Sequence, residues 1–463
     1  MLLNKKIIMV KNLVLAVFLV GICSAATTED WKSRTVYQIL IDRFAIDSET
    51  KSPCPGLPAY KYGSRLCGGN FKGIQENLDY IQNLGFDAIE LSPIFNNVPH
   101  SWQGYNVVDF YNLNPSFGTQ QDLLDLITEC HSRGIYVMLD IVINNVGNVY
   151  GNYQKISPFN RREYYHPYCS QPSTWNETLM EKCWIGELPD LDHSNSFVRE
   201  TLLNWISELV YTFGFDGFRV DSAWAISKDF LSEFSKNAGT YIVGDVGKGD
   251  QKFQASFQGP LSAVSNAGLY YTLRSTLKEG RSMEYSVQYF NSTKVYGDPN
   301  ALGNYLDDRM NSRFLYHNND LDAYKNALTW VLYDEGIPFI FYGVEQGLNQ
   351  GPTALYFSYL SQTNSTTYQI VKQIVKARKE NSLYYYPRKV LAYGTNYLAM
   401  SRGESLIVLT NSVQETQLSL DLSGFDEGKT LCNVFDPSEC IQVTKSQSTV
   451  LIKNAQPMLF VPK

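Results

Sequence analysis

The chain has 463 residues, 44% of them hydrophobic and 14% aromatic, with a formal net charge of −7. That length supports one large core and a smaller second domain. The charge is spread without acidic or basic runs, which argues against a nucleic-acid surface or a basic membrane patch.

Lys5, Lys6 and Lys11 precede an apolar run from Leu13 to Val20, which ends in the small residues of "GICSAA". A basic start, a short apolar stretch and a small-residue exit describe a secretory leader, cut near Ala25 or Ala26. The rival reading is a membrane anchor, for which the run is short. No later segment reaches the ~18 apolar residues of a spanning helix. The expectation is a soluble, exported monomer, extracellular or in the secretory lumen, with no membrane contact once the leader is removed.

Cys23 falls in the leader, so seven of the eight cysteines remain. Cys54/Cys67, Cys169/Cys183 and Cys432/Cys440 are locally spaced pairs suited to short-loop disulfides in an oxidising compartment. Cys130 is left over in the amphipathic stretch "LLDLITECHSRG", where a buried free thiol is expected. Asn176, Asn291 and Asn364 stand in glycosylation sequons, which agree with export.

Short apolar runs follow: "TVYQILIDRF" (35–44), "FDAIELSP" (86–93), "IYVMLDIVIN" (135–144), "GFRVDSA" (217–223), "TYIVGDV" (240–246) and "IPFIFYGVEQ" (337–346). Between them, "QENLDYIQNLG", "QDLLDLITECHSRG" and "VRETLLNWISELVYTFG" carry apolar residues at helical spacing and end at Gly. The alternation predicts a parallel (β/α)8 barrel, with two further strands near "AGLYYTL" (267–273) and "GNYLDDR" (303–309). A long excursion rich in Tyr, Pro, Asn and Gly separates Asn144 from the helix near Phe197, as an inserted domain would. Past Pro387 the residues alternate apolar and polar, an antiparallel β pattern. The expected division is leader 1–25, barrel 26–144, insertion 145–192, barrel 193–387 and β module 388–463.

The stretches "DWKSRTVYQILIDRFA", "CGGNFKGIQENLDYIQNLGFDAIELSP", "YYHPYCS", "EKCWIGELPDLD" and "DEGIP" resemble the secreted α-amylases of fungal type, in glycoside hydrolase family 13. The likeness runs through nearly the whole mature chain. It implies a TIM barrel, an inserted B domain after the third strand and a C-terminal β-sandwich. It also implies an α-1,4-glucan or related carbohydrate as ligand. Retaining enzymes of this kind set a nucleophilic carboxylate about 5–5.5 Å from an acid/base carboxyl. A third carboxylate then binds sugar hydroxyls.

Residue by residue, "GFRVDSAWA" places Asp221 at the nucleophile. Arg219, two residues earlier on the same strand face, is expected to keep it ionised. Trp224-Ala225 replaces the family's Lys-His. Asp245 in "YIVGDVGKGD" stands where the acid/base Glu belongs, one methylene shorter. "LGNYLDDRMNSRF" (302–314) puts Arg309-Met310 over the family's His-Asp, so Met310 replaces the third carboxylate. A rival register through "HNND" (317–320) would make Asp320 that acid. "DIVINN" keeps Asp140 and Asn144 but has Asn145 for His. "WQGYNVVD" keeps Tyr105 as a sugar platform but has Gln103 for His and Asn106 for Trp. After "GVEQ" (343–346), "GLNQGPTALYFSYL" lacks the acid and Arg expected near the catalytic subsite. Sugar contacts are therefore expected from Tyr105, Arg219, Gln103, Asn145 and Trp224.

The resemblance also implies a structural Ca2+ tying the insertion to the barrel. Its ligands would be Asn144, Glu181, Asp190 and the Ala225 carbonyl, oxygen donors suited to calcium. Three functional readings remain: a carbohydrate-binding homologue with impaired catalysis, an active α-amylase using Asp221 and Asp245, or a non-catalytic structural or protein-binding homologue.

Overall fold

The computed structural model describes residues 26–50, 66–99, 101–173, 175–247, 250–316, 319–349, 362–444 and 447–463. The expected leader and Cys54 lie outside them, as do residues 350–361 of the stretch after "GVEQ".

Among the described residues, ten strands build the first part of the chain: β1 Val36–Ile39, β2 Ala88–Leu91, β3 Phe95–Asn97, β4 Val107–Leu113, β5 Tyr136–Ile141, β6 Gly217–Val220, β7 Tyr241–Gly244, β8 Ala263–Val264, β9 Gly303–Tyr305 and β10 Ile337–Phe341. All but the β3–β4 hairpin join one parallel sheet in the order β8-β7-β6-β5-β2-β1-β10-β9. A Ser265–Gly303 bridge brings its two edges together, nearly closing the barrel. Parallel strands covered by helices lose both faces to the core, which explains their near-continuous apolar runs.

The lower barrel is filled by inward side chains that include Val36, Ala88, Met138, Tyr241 and Ile337, together with Trp31 from the helix Thr28–Lys32. Trp31 stacks on Tyr241 at 5.3 Å between ring centroids, and its indole N–H donates to the Asp216 carbonyl. This accounts for one glycine of "FDGFRVD". A Cβ on Gly217 would come within 2.8 Å of the Trp31 ring and 3.0 Å of the Tyr241 carbonyl oxygen. The helix Ser196–Phe213 ends just upstream, at Gly214 with φ 75°, a left-handed cap that favours glycine.

The expected strand at 267–273 is instead a helix, Ala267–Leu273. Asn266 caps it by accepting from the Leu269 N–H, and Ala267, Tyr270 and Leu273 are buried at helical spacing. The sixth barrel strand lies just before it and is only two residues long. The seventh stops at Tyr305, short of the expected 309.

Between β5 and the helix Ser196–Phe213, the insertion has little regular structure. The β3–β4 hairpin leans on it through Phe110 N–H to Ser157 carbonyl and Ser157 N–H to Val108 carbonyl bonds. Cys169–Cys183 form a disulfide there, Cys432 and Cys440 pair in the C-terminal module, and Cys130 is a buried free thiol.

The C-terminal module comprises β11 Arg388–Tyr393, β12 Tyr397–Arg402, β13 Ser405–Thr410, β14 Thr416–Leu420, β15 Thr430–Asn433, β16 Cys440–Gln442, β17 Ser448–Ile452 and β18 Met458–Pro462. Six strands form an antiparallel sheet, β11-β12-β13-β18-β15-β16, and β14 pairs with β17. Tyr333 and Asn326, on the barrel helix Leu321–Tyr333, bond to the Ser405 carbonyl and the Thr410 N–H of β13. No helix among the described residues is long and apolar enough to cross a membrane.

Candidate active site

The C-terminal ends of the barrel strands open into a cavity of about 490 Å³, with Tyr105, Arg219, Asp221, Trp224, Asp245 and Arg309 on its wall. Backbone bonds prolong the ladder past the strand ends, Asp221 N–H to Ile141 carbonyl and Asp245 N–H to Val220 carbonyl, both 2.9 Å. Two carboxylates from neighbouring strands are thereby fixed side by side. Ser222, next in the chain, has φ 51° and donates its hydroxyl to Asp221 Oδ2. A non-glycine residue in this region is strained, and such strain collects at functional sites.

Arg219 binds both acids. Its Nη2 is 2.5 Å from Asp245 Oδ2 and its Nη1 is 3.3 Å from Asp221 Oδ1. Nη1 also donates to Asp140 at 2.9 Å. Tyr105 Oη donates to Asp140 Oδ2 at 2.6 Å, which makes Asp140 the anchor of the group.

A second guanidinium enters from the loop after β9. Arg309 Nη2 lies 2.8 Å from Asp140 Oδ2 and 3.4 Å from Asp221 Oδ1, and Nη1 lies 3.8 Å from Glu90 Oε1. The Arg309 guanidinium sits 4.4 Å over the Tyr105 ring centroid, so a cation covers the expected sugar platform. Asp308 makes this placement possible. Its carboxylate accepts the Met310 and Asn311 N–H groups in a tight turn, sending Arg309 inward and Met310 outward. Arg309 is 8% exposed, whereas Met310 is 74% exposed at the cavity mouth.

Asp320 is not in the cavity. It caps the helix Leu321–Tyr333, accepting from the Asp322 and Ala323 N–H groups at 3.0 Å. Asp307 is buried behind the turn, where it accepts from Arg274 and the Phe314 N–H.

Burial decides the protonation of this cluster. It lifts Asp221 to about 7, with Asp140 and Asp245 adding repulsion, and Arg219 offsets only part of the rise. Asp140 is raised to about 6 and Glu90 to about 8, again chiefly by burial, and Asp245 is raised as well. Burial pulls Arg219 down, but Asp140, Asp245 and Asp221 together hold it well above its usual range. Burial thus works against the Arg219 contact that is expected to keep Asp221 ionised.

Gln103, Asn106 and Asn145 line the same cavity, and Trp224 is buried in its wall within the 223–225 turn. Glu90 and Asp308 escaped notice in the sequence. Glu90 had one available signal, a lone acid inside the apolar strand "AIEL". Asp308 had none beyond the Asx-turn tendency of its residue type.

The four candidate calcium ligands lie where the insertion meets the barrel. Asn144 Nδ2 donates to Asp190 Oδ1 at 2.9 Å, and the Leu191 N–H donates to the Asn144 carbonyl. Asp190 Oδ2 is 2.7 Å from His166 Nδ1. Glu181 ends the short helix Glu177–Met180, which packs against the turn containing Ala225. Asn144 Oδ1 is buried and without a hydrogen-bond partner among the described residues. Such an orphaned oxygen is what a hard cation would complete. Among the described residues, no three His, Cys, Asp or Glu side chains converge on one metal position. An ion here would therefore draw on the Asn144 amide and Ala225 carbonyl oxygens beside the Asp190 and Glu181 carboxylates, all of them hard oxygen donors.

The family model "Alpha amylase, catalytic domain" matches residues 38–251. The chain is 32% identical to an α-amylase of Saccharomycopsis fibuligera, over 94% of this chain and 92% of that protein. It is 30% identical to α-amylase 1 of Schwanniomyces occidentalis, over 95% and 91% respectively. The solved α-amylase of Malbranchea cinnamomea superposes with a TM-score of 0.88 at 30% identity, over 94% of this chain and 98% of that one. An α-amylase of Geobacillus thermoleovorans complexed with acarbose gives 0.82 at 25% identity, over 94% and 99%.

Proposed function

The chain belongs to the α-amylase family, and from that premise we propose that it is an exported, monomeric carbohydrate-binding member with impaired hydrolysis. The observation that carries this reading is Arg309, lodged between Asp140, Asp221 and Glu90 and over the face of Tyr105. Glycosidic cleavage passes through an oxocarbenium-like transition state. A carboxylate beside the anomeric carbon would stabilise that positive charge, and a guanidinium repels it. The repulsion is stronger at a guanidinium as buried as this one than it would be in bulk water.

The remaining chemistry is weakened by the same contacts. Asp221 Oδ1 is shared between two guanidiniums and Oδ2 accepts from Ser222, so both oxygens of the nucleophile already carry a donor. Asp245 is paired to Arg219 through Oδ2, and a carboxylate held by a guanidinium is a poor proton donor. Its side chain is also one methylene shorter than the glutamate of the family. Asp221 and Asp245 remain the residues through which any surviving turnover would pass. Gln103, Asn145 and Trp224, with Tyr105 and Arg219, are the proposed sugar contacts. One observation favours an active enzyme: burial raises the Asp245 carboxyl, as an acid/base group requires.

Incubation of the purified protein with starch and maltooligosaccharides, beside an Asp221→Asn control, separates the readings. Retention on immobilised glucan with turnover no greater than the control is expected. Clear turnover that disappears in the control would overturn impairment, and failure to bind glucan would leave a structural or protein-binding role.

We further propose that Asn144, Asp190, Glu181 and the Ala225 carbonyl hold a structural Ca2+ joining the insertion to the barrel. The ion would supply charge to the buried Asn144 Oδ1 and the Asp190 carboxylate. A ligand bound only by the native state raises the melting temperature. Chelator treatment should therefore lower Tm by several degrees, with recovery on adding Ca2+. An unchanged Tm would remove the ion from this site.

A further inference from the structure

We propose that Asn291 carries an N-linked glycan whose first sugars lie in the groove between the barrel and the C-terminal module. The inference rests on the chain's passage through the secretory route, part of the reading above. A groove of about 710 Å³ separates the helix Tyr285–Ser292 from strand β11, and Asn291 is on its lip. Asn291-Ser292-Thr293 is a glycosylation sequon. Asn291 is exposed, and its side-chain amide makes no hydrogen bond among the described residues. Asn176, by contrast, spends its carboxamide oxygen capping the helix Glu177–Met180.

The groove suits a tethered sugar. Phe290, Val390, Leu391 and Tyr393 form its apolar side, and Tyr393 is 50% exposed. Lys294, Glu335 and Arg388 add polar groups. N-acetylglucosamine presents one face of C–H bonds and a rim of hydroxyl and amide groups, matching such a mixed wall. Among the described residues, β11 is the outer strand of the six-stranded sheet and pairs only with β12. Exposed edge strands invite pairing with other chains, and proteins cover them. A bulky, solubilising glycan attached beside β11 would do this without any further protein segment.

The test uses protein secreted from a glycosylating eukaryotic host. Trypsin releases residues 282–294, which contain Asn291 and no other sequon. Mass spectrometry should find this peptide predominantly glycosylated. Under native conditions the Asn291 glycan should resist endoglycosidase and be released after denaturation. Hydrogen exchange across 388–393 should be several-fold faster in Asn291→Gln than in the glycosylated protein. An unmodified Asn291 beside an occupied Asn176 or Asn364 would overturn this inference alone, and three bare sequons would overturn the secretory reading with it. A glycan removed at once from the native protein, with unchanged exchange in β11, would overturn its place in the groove.

Discussion

Changing Asp245 to Glu, Arg309 to His and Met310 to Asp together should raise maltooligosaccharide hydrolysis above wild type by on the order of 10²-fold or more. Each substitution removes one obstacle that the proposed reading names. Glu at 245 restores the methylene that carries a general acid to the leaving oxygen. His at 309 withdraws the guanidinium that now spans Asp140, Asp221 and Glu90, and it uncovers the Tyr105 ring. Asp at 310 returns a third carboxylate to the loop, though the turn made by Asp308 points that position outward at present. With the 309 contact relieved, the loop is expected to turn residue 310 toward the cavity despite the Asp308 turn. The Met310→Asp change alone should therefore do little. Adding Asp221→Asn to the triple variant should abolish the gain. A triple variant that folds and binds glucan yet hydrolyses no faster than wild type would show that Arg309 is not the obstruction, and Trp224 would be the next residue to change.

Arg219→Ala should destabilise the fold by about 3–5 kcal/mol, because removing one partner leaves buried carboxylates uncompensated. Arg219 faces Asp140, Asp221 and Asp245 at once, and Arg309 reaches only the first two. Arg219→Lys should recover only part of the loss, since an ammonium cannot fork between Asp140 and Asp245 as a guanidinium does. Chemical denaturation of the three proteins measures this, and a loss below about 1 kcal/mol, the scale of an exposed pair, would sink the claim.

The pH dependence has a definite sign. Asp221 moves from 3.8 to about 7 and Asp140 from 3.8 to about 6 on folding, so the native state holds protons that the unfolded chain releases. Their contribution to stability is complete below about pH 4 and fades as pH rises through 6 to 7. Wild-type Tm should thus carry a component that falls between about pH 4 and 7. Asp221→Asn, which cannot ionise, should flatten it. Equal slopes in the two proteins would contradict the burial argument.

The barrel was legible in the sequence because its strands are buried on both faces and the helices between them end at glycine. The family was legible because long specific stretches survive from "DWKSRTVYQ" to "DEGIP". The shorter elements were less so. A two-residue strand such as β8 carries no periodicity, and the aromatic run "AGLYYTL" suits strand or helix until Asn266 supplies a cap. The β3–β4 hairpin joins "IFNN" to a run with no turn dipeptide between them, and its partner Ser157 is far along the chain.

In the site, the sequence by itself supplied the residue types on which the proposed reading rests: Asp221, Asp140 and Asp245 as acids at strand ends, and Met310 where the resemblance implies a carboxylate. These are matters of residue type and spacing, which need no coordinates. The tertiary structure decided which member of the Arg309-Met310 pair turns inward, that Asp320 serves a helix end, and that two guanidiniums serve two buried carboxyls, Asp140 and Glu90, and two half-buried ones, Asp221 and Asp245. Those outcomes depend on burial and on charges brought together from β2, β5, β6, β7 and the loop after β9. The separation of those segments along the chain hides their mutual field until the barrel closes.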